Sequence, residues 1–328
     1  MTRITSYNIL AGGYNIYSSR HTERTSQLLA ILRSTQPDVV GLVEATNPRV
    51  PQRPLVIEQL AEALDMQLVM TSDPDQVSSL FQYQPALLTR LPLVYKKVHP
   101  PCTSQSRPLL EVCVEEADGR RLILFVTHLS AAFNQGWAGS GIRGREVREI
   151  LRVMSQVGDT PHVLMGDFNS LTPHDSFKAS NLLRYITQLD ERRQQLHIQD
   201  GHPHLDGVVP YSLRFLNPLL RGIAHGTLLS NAFDVTASLY APRGTIAMIQ
   251  HMGYVDCYRR VHPHDTGFTC PAAAPAGRID YIFANSMLAQ RLETCTVVHD
   301  NEGVPGRMAS DHLAVSAEFQ TVTREDGD

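Results

Sequence analysis

Apolar and polar positions follow two different periods along the first part of the chain. Residues 3–10 (RITSYNIL) and 38–45 (DVVGLVEA) are short β-rich runs that are typical of strands. Residues 24–35 and 54–65 instead carry apolar side chains at helical spacing, and Pro37 ends the first of these two patterns. The alternation of strands and helices predicts a layered α/β fold rather than an all-β or helical one.

Strand patterns dominate the region that follows. Residues 108–130 contain two β-rich runs around Asp118-Gly119, which predicts a β-hairpin. Residues 145–156 return to helical spacing, and a polar helix pattern covers residues 181–196. Further apolar runs that predict strands occupy residues 85–91, 93–99, 162–168, 278–284 and 312–319. No internal repeat or linker divides the chain, so we predict a single domain over residues 1–328, with a specificity insertion at about 171–250.

Composition and charge narrow the function classes. The 328 residues carry a formal net charge of -4, so the chain lacks the positive field of a protein that coats nucleic acid. The five cysteines form no CxxC pair, which indicates free thiols of a reducing compartment rather than disulfides or a zinc site. No apolar run is long enough to span a membrane, and no secretory signal pattern opens the chain. We expect a cytoplasmic protein and a monomer.

Polar side chains that can bind a metal ion or a phosphate lie where the predicted strands begin or end. They are Asn8, Glu44, His128, Asp167, Asn169, Asp280, Asp311 and His312. Layered α/β folds assemble their sites at strand ends. Some of these residues also have a purely structural interpretation when taken singly. Asn8 could form hydrogen bonds at a strand end, and Glu44 could be a solvated loop carboxylate. His128 could be a core histidine with its hydrogen bonds satisfied, and Asp311 could open an Asx turn.

Six short segments, taken together and in order, resemble the endonuclease/exonuclease/phosphatase superfamily of metal-dependent phosphohydrolases. They are YNIL (7–10), GLVEA (41–45), THLS (127–130), GDFNS (166–170), GRIDYIF (277–283) and SDHLAV (310–315). The segments span nearly the whole chain, which makes the resemblance far more specific than a single motif. It implies an α/β four-layered sandwich of two packed mixed β-sheets flanked by helices.

The resemblance also implies a divalent metal site. Asn8 and Glu44 would hold Mg²⁺ or Mn²⁺, Glu44 directly, and Asp311 would complete or approach the site. Such a set agrees with the chemistry, because Mg²⁺ prefers oxygen ligands and would neutralise the charge of a phosphodiester that otherwise repels hydroxide.

The remaining motif residues are implied to handle water and phosphate. Asp167 would orient and deprotonate the attacking water, and Asn169 would position that water and the phosphate. His312 would contact a phosphate oxygen with its imidazole fixed by Asp280, and His128 would be a second phosphate contact. A carboxylate beside an imidazole raises its proton affinity, which suits a group that meets developing negative charge.

We therefore predict a Mg²⁺- or Mn²⁺-dependent hydrolase of phosphoric esters, and a phosphodiesterase rather than a monoesterase. The phosphoester substrate is left open between a small molecule and a nucleic acid. One alternative is an endo- or exonuclease on DNA or RNA. It would need a basic groove and stacking aromatics, but the aromatic content is 7%. A second alternative is a lipid or inositol phosphate hydrolase, for which residues 210–220 could form an apolar lip. A third is an inactive binding module, which the retention of every motif carboxylate and histidine argues against.

Two departures from the family pattern bear on these alternatives. Many members carry glutamine before the metal-binding glutamate, whereas Val43 stands there in this chain. The Trp-rich stretch that abasic-site nucleases carry before RIDY is absent, and the single tryptophan is Trp137. The second departure argues against a DNA-repair function.

Three other polar stretches are interpreted structurally. HPHLD (202–206) and HPHD (262–265) resemble fragments of a metal site, but the proline between the histidines favours exposed loops. The arginines at positions 143, 145, 148 and 152 are interleaved with glutamates, which predicts a solvated helix face with local ion pairs. The Gly-rich stretch 131–141 follows His128 directly and is a candidate substrate loop.

Overall fold

The computed structural model describes most of the chain. The residues it does not describe are 16–21, 48–53, 72–82, 105, 133–134, 136, 197–208, 210–213, 216, 218–226, 242, 302 and 322–328. Two six-stranded mixed β-sheets pack face to face and are flanked by helices, which confirms the predicted four-layered α/β sandwich.

The first sheet has the strand order β11-β14-β1-β2-β4-β3. Its strands are β1 (Thr2–Asn8), β2 (Val39–Val43), β3 (Gln67–Met70), β4 (Ala86–Thr89), β11 (Leu292–Val298) and β14 (Ala314–Phe319). β1 and β2 are parallel, and β14 runs antiparallel to β1. The end of β1, the end of β2 and the start of β14 therefore meet at one edge of the sheet.

The second sheet has the order β5-β6-β7-β8-β10-β9. Its strands are β5 (Leu93–His99), β6 (Leu109–Glu115), β7 (Arg121–His128), β8 (His162–Asp167), β9 (Val255–Asp256) and β10 (Asp280–Ala284). A separate two-stranded ribbon pairs β12 (Asp300–Asn301) with β13 (Val304–Pro305). β7 and β8 are parallel and β10 is antiparallel to β8, so three strand ends meet here too.

The helices within the described residues cover the sheets or close the loops between strands. They are α1 (Thr25–Ser34), α2 (Val56–Leu64), α3 (Trp137–Met154), α4 (Ala179–Leu196), α5 (Thr227–Tyr240), α6 (Gly244–His251), α7 (Cys257–Val261), α8 (Ser286–Ala289) and α9 (Gly306–Ala309). None of them is long and apolar enough to cross a membrane.

The main core lies between the two sheets. Side chains such as Val43 from the first sheet and Val126 from the second are fully buried there. Gly41 has a packing function in this layer, because a Cβ on it would lie 2.7 Å from the sulfur and methyl carbon of Met165. Close packing of the two sheets at this point holds their motif-bearing ends near each other.

The outer faces of the sheets are covered by helices. α1 and α2 bury Leu28, Ile31 and Leu60 against the first sheet. α3 and α6 bury Val147 and Ile249 against the second sheet. These apolar stripes, spaced at helical period, account for the two outer layers of the sandwich.

The structure extends the predicted pattern in several places. The hairpin of β6 and β7 is confirmed, but α3 begins eight residues before the predicted start at residue 145. β3 and β11 were not predicted. β3 is only four residues long, and β11 is an edge strand with alternating polar residues, so neither forms a distinct apolar run.

The predicted insertion contains helices in its described part. α4 and α5 bury Leu183, Ile186 and Phe233 in a small cluster of their own. Asp234 joins the two helices, because its carboxylate accepts hydrogen bonds from the backbone N–H and the hydroxyl of Ser180 at 2.7 and 3.0 Å. A role of this segment in specificity stays a prediction, and residues 202–206 and most of residues 210–220 lie outside the described residues.

Candidate active site

Gly166 sets the position of Asp167 at the end of β8. Its φ is 138°, and a Cβ there would lie 1.8 Å from the carbonyl oxygen of Thr127 on the adjacent strand β7. Only glycine fits this close approach of two strands. Asp167 then pairs in register with His128 on β7 and with Asp280 on β10. Three predicted site residues therefore stand side by side on neighbouring strands.

The first sheet contributes Asn8 at the end of β1 and Glu44 just after β2. Glu44 has a φ of 52°, a left-handed conformation that turns the chain sharply out of the strand. One oxygen of its carboxylate accepts the backbone N–H of Ala11 at 2.9 Å. The other lies 3.5 Å from the side-chain nitrogen of Asn8. The backbone bend thus directs the Glu44 carboxylate toward the end of β1.

Asn8 connects the two sheets. Its side-chain nitrogen lies 3.2 Å from Oδ2 of Asp167 and 3.4 Å from Nε2 of His312. Its side-chain oxygen accepts the backbone N–H of Leu10 at 3.0 Å. Asn8 and Asp167 are both almost completely buried, so these contacts form in a low-dielectric environment.

The segment before β14 supplies Asp311 and His312. The hydroxyl of Ser310 donates to the backbone oxygen of Asn8 at 2.7 Å and accepts the backbone N–H of His312 at 3.2 Å. Nδ1 of His312 lies 2.9 and 3.1 Å from the two carboxylate oxygens of Asp280. Its Nε2 lies 4.0 Å from Asp311. The imidazole is therefore held from one side by Asp280, with Nε2 facing the site.

Burial and neighbouring charges shift the pKa values of two of these groups. Burial raises the pKa of Asp167 to about 7, with the His312 charge opposing the rise. Burial would lower the pKa of His312, but the charges of Asp280, Cys270 and Asp311 outweigh it and hold that pKa well above its usual range. Nε2 of His312 is 3.8 Å from Oδ2 of Asp167, so a cationic imidazole faces a carboxyl that can exchange a proton near neutral pH.

His128 differs from His312 in its charge. Burial lowers its pKa well below the usual range, and the charges of Arg107 and His312 lower it further. Its Nε2 is 3.5 Å from Oδ2 of Asp167. His128 is therefore a neutral imidazole beside the same carboxyl group that the cationic His312 approaches.

Asn169 is held by two hydrogen bonds in a left-handed conformation, with φ at 47°. Its backbone N–H donates to Oδ1 of Asp167 at 2.8 Å, and its side-chain nitrogen donates to the carbonyl oxygen of Leu129 at 2.9 Å. Asparagine tolerates this backbone region better than most residues. The structure thus brings all eight predicted site residues into one connected cluster, and their individual roles remain predictions.

Helix α3 supplies two buried residues that the sequence did not identify. The Glu146 carboxylate accepts the hydroxyl of Ser130 at 2.6 Å and its backbone N–H at 3.1 Å. The Arg143 guanidinium donates to the carbonyl oxygen of Ser130 at 3.1 Å. The prediction of a fully solvated helix face is wrong for these two residues, which are 4% and 1% exposed. It holds for Arg152, which pairs with Glu149 on the exposed face.

Arg278, the arginine of GRIDY, is a second group outside the sequence prediction. Its guanidinium lies 2.9 Å from Asp175 and 2.7 Å from Asp256, and Arg259 pairs with Asp175 at 2.7 Å. The hydroxyl of Tyr281 donates to the carbonyl oxygen of Arg278 at 2.7 Å. This ionic cluster fixes the chain on both sides of Asp280. Its partners are far apart in sequence, and the only available signal was an arginine inside a motif.

Arg24 holds the loops on the side of the site where Glu44 and Asp311 lie. Its guanidinium donates to the backbone carbonyl oxygens of Ile9, Leu10, Tyr14 and Ala309. Burial lowers the pKa of Arg24, and the charges of Asp311, Tyr7 and Glu44 offset part of that effect. One half-buried cation therefore ties the end of β1 to the segment before Asp311.

Two donor sets could hold a metal ion. Within the described part of the chain, the only grouping of three His, Cys, Asp or Glu ligand atoms within 4.8 Å of one another is that of Asp167, Asp280 and His312. In that set, both oxygens of Asp280 already face Nδ1 of His312. The other set, Asn8, Glu44 and Asp311, consists of two carboxylates and one side-chain amide. Hard cations such as Mg²⁺ prefer this second kind of set.

The histidine-rich stretches do not add a metal site among the described residues. Nε2 of His262 lies 2.9 Å from the carbonyl oxygen of Cys295, and Asp265 accepts the hydroxyl of Tyr258 at 3.0 Å. His262 and Asp265 of HPHD therefore have structural partners. HPHLD at 202–206 lies outside the described residues. The five cysteines are free thiols, as predicted.

Comparisons with known proteins find similarity in sequence pattern and in fold across nearly the whole chain. The model of the Endonuclease/Exonuclease/phosphatase family matches residues 5–312. Similar solved structures include an AP endonuclease from Archaeoglobus fulgidus, with a TM-score of 0.59 and 16% identity over 98% of this chain and 100% of the other. A search of curated protein sequences finds no match.

Two further solved structures share the fold. A 3′ phosphatase (NExo) from Neisseria, bound to a product DNA hairpin, has a TM-score of 0.55 and 17% identity over 98% of this chain and 100% of the other. TDP2 from D. rerio, complexed with a single-stranded DNA product, has a TM-score of 0.57 and 17% identity over 98% of this chain and 99% of the other.

Proposed function

This chain belongs to the Endonuclease/Exonuclease/phosphatase family, and from that premise we propose that it is a Mg²⁺- or Mn²⁺-dependent phosphodiesterase. The observation that carries the proposal is the buried cluster in which Asp167 meets Asn8, His128 and His312 within 3.8 Å. A structural turn would not need these groups at the ends of four strands from two different sheets.

The donor set of the first sheet fits a hard divalent cation. Glu44 keeps one carboxylate oxygen facing the end of β1, and Arg24 fixes the backbone on which Asn8 and Asp311 stand. In this proposal Glu44, Asn8 and Asp311 would hold the ion. The bound ion would neutralise phosphate charge and stabilise the leaving oxygen.

Asp167 is the proposed general base. It takes a proton from a water molecule as that water attacks phosphorus, and the P–O ester bond breaks with its electron pair leaving on the alcohol oxygen. A pKa of about 7 places Asp167 where it can gain and lose a proton near neutral pH. A cation bound nearby would lower that pKa and increase the ionised fraction.

Hydrogen-bond donors contact the phosphate on the side away from the proposed cation. His312, cationic and fixed by Asp280, donates from Nε2 to a phosphate oxygen, and this interaction strengthens as negative charge develops. Asn169 and the neutral His128 position the phosphate on the second sheet. Water and phosphate are thus held by residues of one strand end, Asp167 and Asn169.

A compact phosphodiester is the proposed substrate class. The net charge of -4 and the presence of only three lysines support few phosphate contacts beyond the scissile one. A nuclease is the second candidate, since the names of three structural neighbours refer to DNA or abasic-site cleavage. Their identities of 16–17% support the shared fold and leave the substrate open.

A substrate panel tests the proposal. We would measure kcat/KM with Mg²⁺ or Mn²⁺ against bis-p-nitrophenyl phosphate, abasic DNA, single-stranded RNA, inositol phosphates and sphingomyelin. Each neutralised phosphate contributes a log–log salt slope of about −0.7 to −0.9, so a compact substrate predicts a slope for about one to three contacts. DNA as the best substrate, with a slope for about six or more contacts, would establish the nuclease instead.

A further inference from the structure

Arg107, just before β6, is a cation at the candidate site that neither the motifs nor the proposed mechanism uses. Its Nη1 donates to the carbonyl oxygen of Leu129 at 3.4 Å. The side-chain nitrogen of Asn169 donates to the same carbonyl oxygen at 2.9 Å. The two donors therefore share one acceptor, which places the Arg107 guanidinium beside Asn169.

The buried side-chain atoms without hydrogen-bond partners in the described part of the chain include Nε of Arg107, which is a donor, and Nδ1 of His128, whose role depends on the tautomer. The charge of Arg107 lowers the pKa of His128. Buried donors without acceptors are rare in folded proteins, because each costs about 1–3 kcal/mol of desolvation. Unused donors beside a binding site indicate an acceptor that arrives with the ligand.

We propose that Arg107 binds a non-bridging oxygen of the substrate's scissile phosphate, together with Asn169 and His128. A guanidinium presents a rigid fork of N–H donors that matches two phosphate oxygens, and the free Nε edge of Arg107 provides such a fork. Arg107 is partly exposed whereas its Nε is buried, so the contact requires the guanidinium to turn toward the ligand. This inference rests on the proposed function for the identity of the phosphate group, and it deepens that function by naming a further substrate-binding residue.

Charge explains why a second cation is needed on this side. His128 is neutral and can donate a hydrogen bond but brings no positive charge. His312 is cationic but faces Asp167 from the first sheet. Arg107 supplies a permanent positive charge beside Asn169 and His128, neither of which carries one.

Binding of inorganic phosphate tests the proposal without requiring turnover. The variants are Arg107→Met, which keeps the stem and removes the charge, and Arg107→Lys, which keeps the charge and removes the fork. Arg120→Gln is the matched control, because Arg120 is exposed at the opposite end of β6, where its side chain pairs with the turn residue Asp118. Calorimetric titration with phosphate in saturating Mg²⁺ gives each Kd, and melting curves verify folding.

We expect the phosphate Kd to rise by about tenfold or more in Arg107→Met, by a smaller factor in Arg107→Lys, and not at all in Arg120→Gln. A Kd of Arg107→Met within about twofold of the wild type would overturn the proposal. If Arg107→Met does not fold, Arg107→Lys decides alone: a rise of about threefold or more supports the contact, and an unchanged Kd overturns it. A wild-type protein that shows this Arg107-dependent binding but hydrolyses no diester would sink only the proposed activity.

Discussion

Two buried ionic clusters lie close together in this molecule and differ in how their charges are balanced. In the Arg278 cluster, two arginines face two aspartates, and the pairs are 2.7–2.9 Å apart. In the candidate active site, the carboxyl groups of Glu44, Asp167, Asp280 and Asp311 lie in one connected cluster with the cationic His312, and Arg24 and Arg107 lie beside it. The contacts of Asp167 to its neighbouring side chains range from 3.2 to 3.8 Å.

The difference separates a cluster that stabilises the fold from one that awaits a ligand. In a well-paired buried cluster, each ion has a partner of opposite charge that stabilises its ionised form. Burial raises the pKa of Asp167 to about 7, and the charges of Asp280 and Glu44, part of an excess of carboxylates, raise it further against the charge of His312. A divalent cation is the simplest complement to that excess. Substitutions in the two clusters should therefore have opposite effects on activity and stability.

Asp167→Asn should have the largest effect on activity. We expect kcat to fall by about two to four orders of magnitude, the scale of general-base catalysis, because asparagine cannot accept the water proton. The melting temperature should stay the same or rise, since a buried carboxylate with a raised pKa is replaced by a neutral amide. Steady-state kinetics and calorimetric melting are the measurements. A lowered melting temperature with near-normal turnover would show a structural role instead.

Arg278→Met should show the reverse pattern. The substitution leaves the carboxylates of Asp175 and Asp256 buried with an insufficient countercharge, which costs about 3–5 kcal/mol. The melting temperature should fall by roughly 10 °C. Chemical unfolding gives the free energy directly. A loss of activity with unchanged stability would contradict the assignment of this cluster to the fold.

Glu146→Gln should give a smaller loss, because Glu146 acts through Ser130 rather than on the substrate. Weakening its bonds to Ser130 loosens the chain after His128 and the carbonyl oxygen that holds Asn169. We expect kcat to fall by about tenfold with a smaller change in KM, the range seen for positioning residues around a site. Glu149→Gln, on the exposed face of the same helix, is the control. Equal kinetics for the two variants would refute the positioning role.

The pH dependence of stability tests the Asp167 carboxyl group without substrate. The pKa of Asp167 is raised from 3.8 to about 7 by folding. Its stabilising contribution is therefore fully present below about pH 4 and is lost as the pH rises through about 7. Metal-free Asp167→Asn should match the wild type at low pH and become the more stable of the two above neutrality. Urea unfolding across this range would reveal the opposite trend if Asp167 were held ionised.

The sequence was sufficient for the strands that carry the motifs. Residues 38–45 and 162–168 are apolar runs that end in a carboxylate, and both become buried strands with that carboxylate at the site. The motif order then located all eight predicted residues. Local patterns could do this because a strand end is a short-range feature, in which a β-rich run stops at a polar side chain.

The supporting residues could not be predicted in the same way. Arg278 and Asp175 are 103 positions apart, and neither periodicity nor spacing relates them. Glu146 was interpreted as one of several surface charges, because a helix of mixed charge does not reveal which residue turns inward. Arg107 contacts a backbone carbonyl group, and a backbone acceptor leaves no mark on the sequence. Such contacts depend on the tertiary packing of the two sheets and α3.

The most direct test of the central claim separates the metal ligand from the base. Metal-free wild type, Glu44→Gln and Asp167→Asn are titrated with Mn²⁺ by calorimetry, and each is assayed on bis-p-nitrophenyl phosphate. We predict that turnover requires Mn²⁺ and is lost in both variants, whereas Mn²⁺ affinity is lost only in Glu44→Gln. Wild-type Mn²⁺ affinity in Glu44→Gln, together with a loss of Mn²⁺ affinity in Asp167→Asn, would place the ion on Asp167, Asp280 and His312. That result would refute Glu44 as the metal ligand.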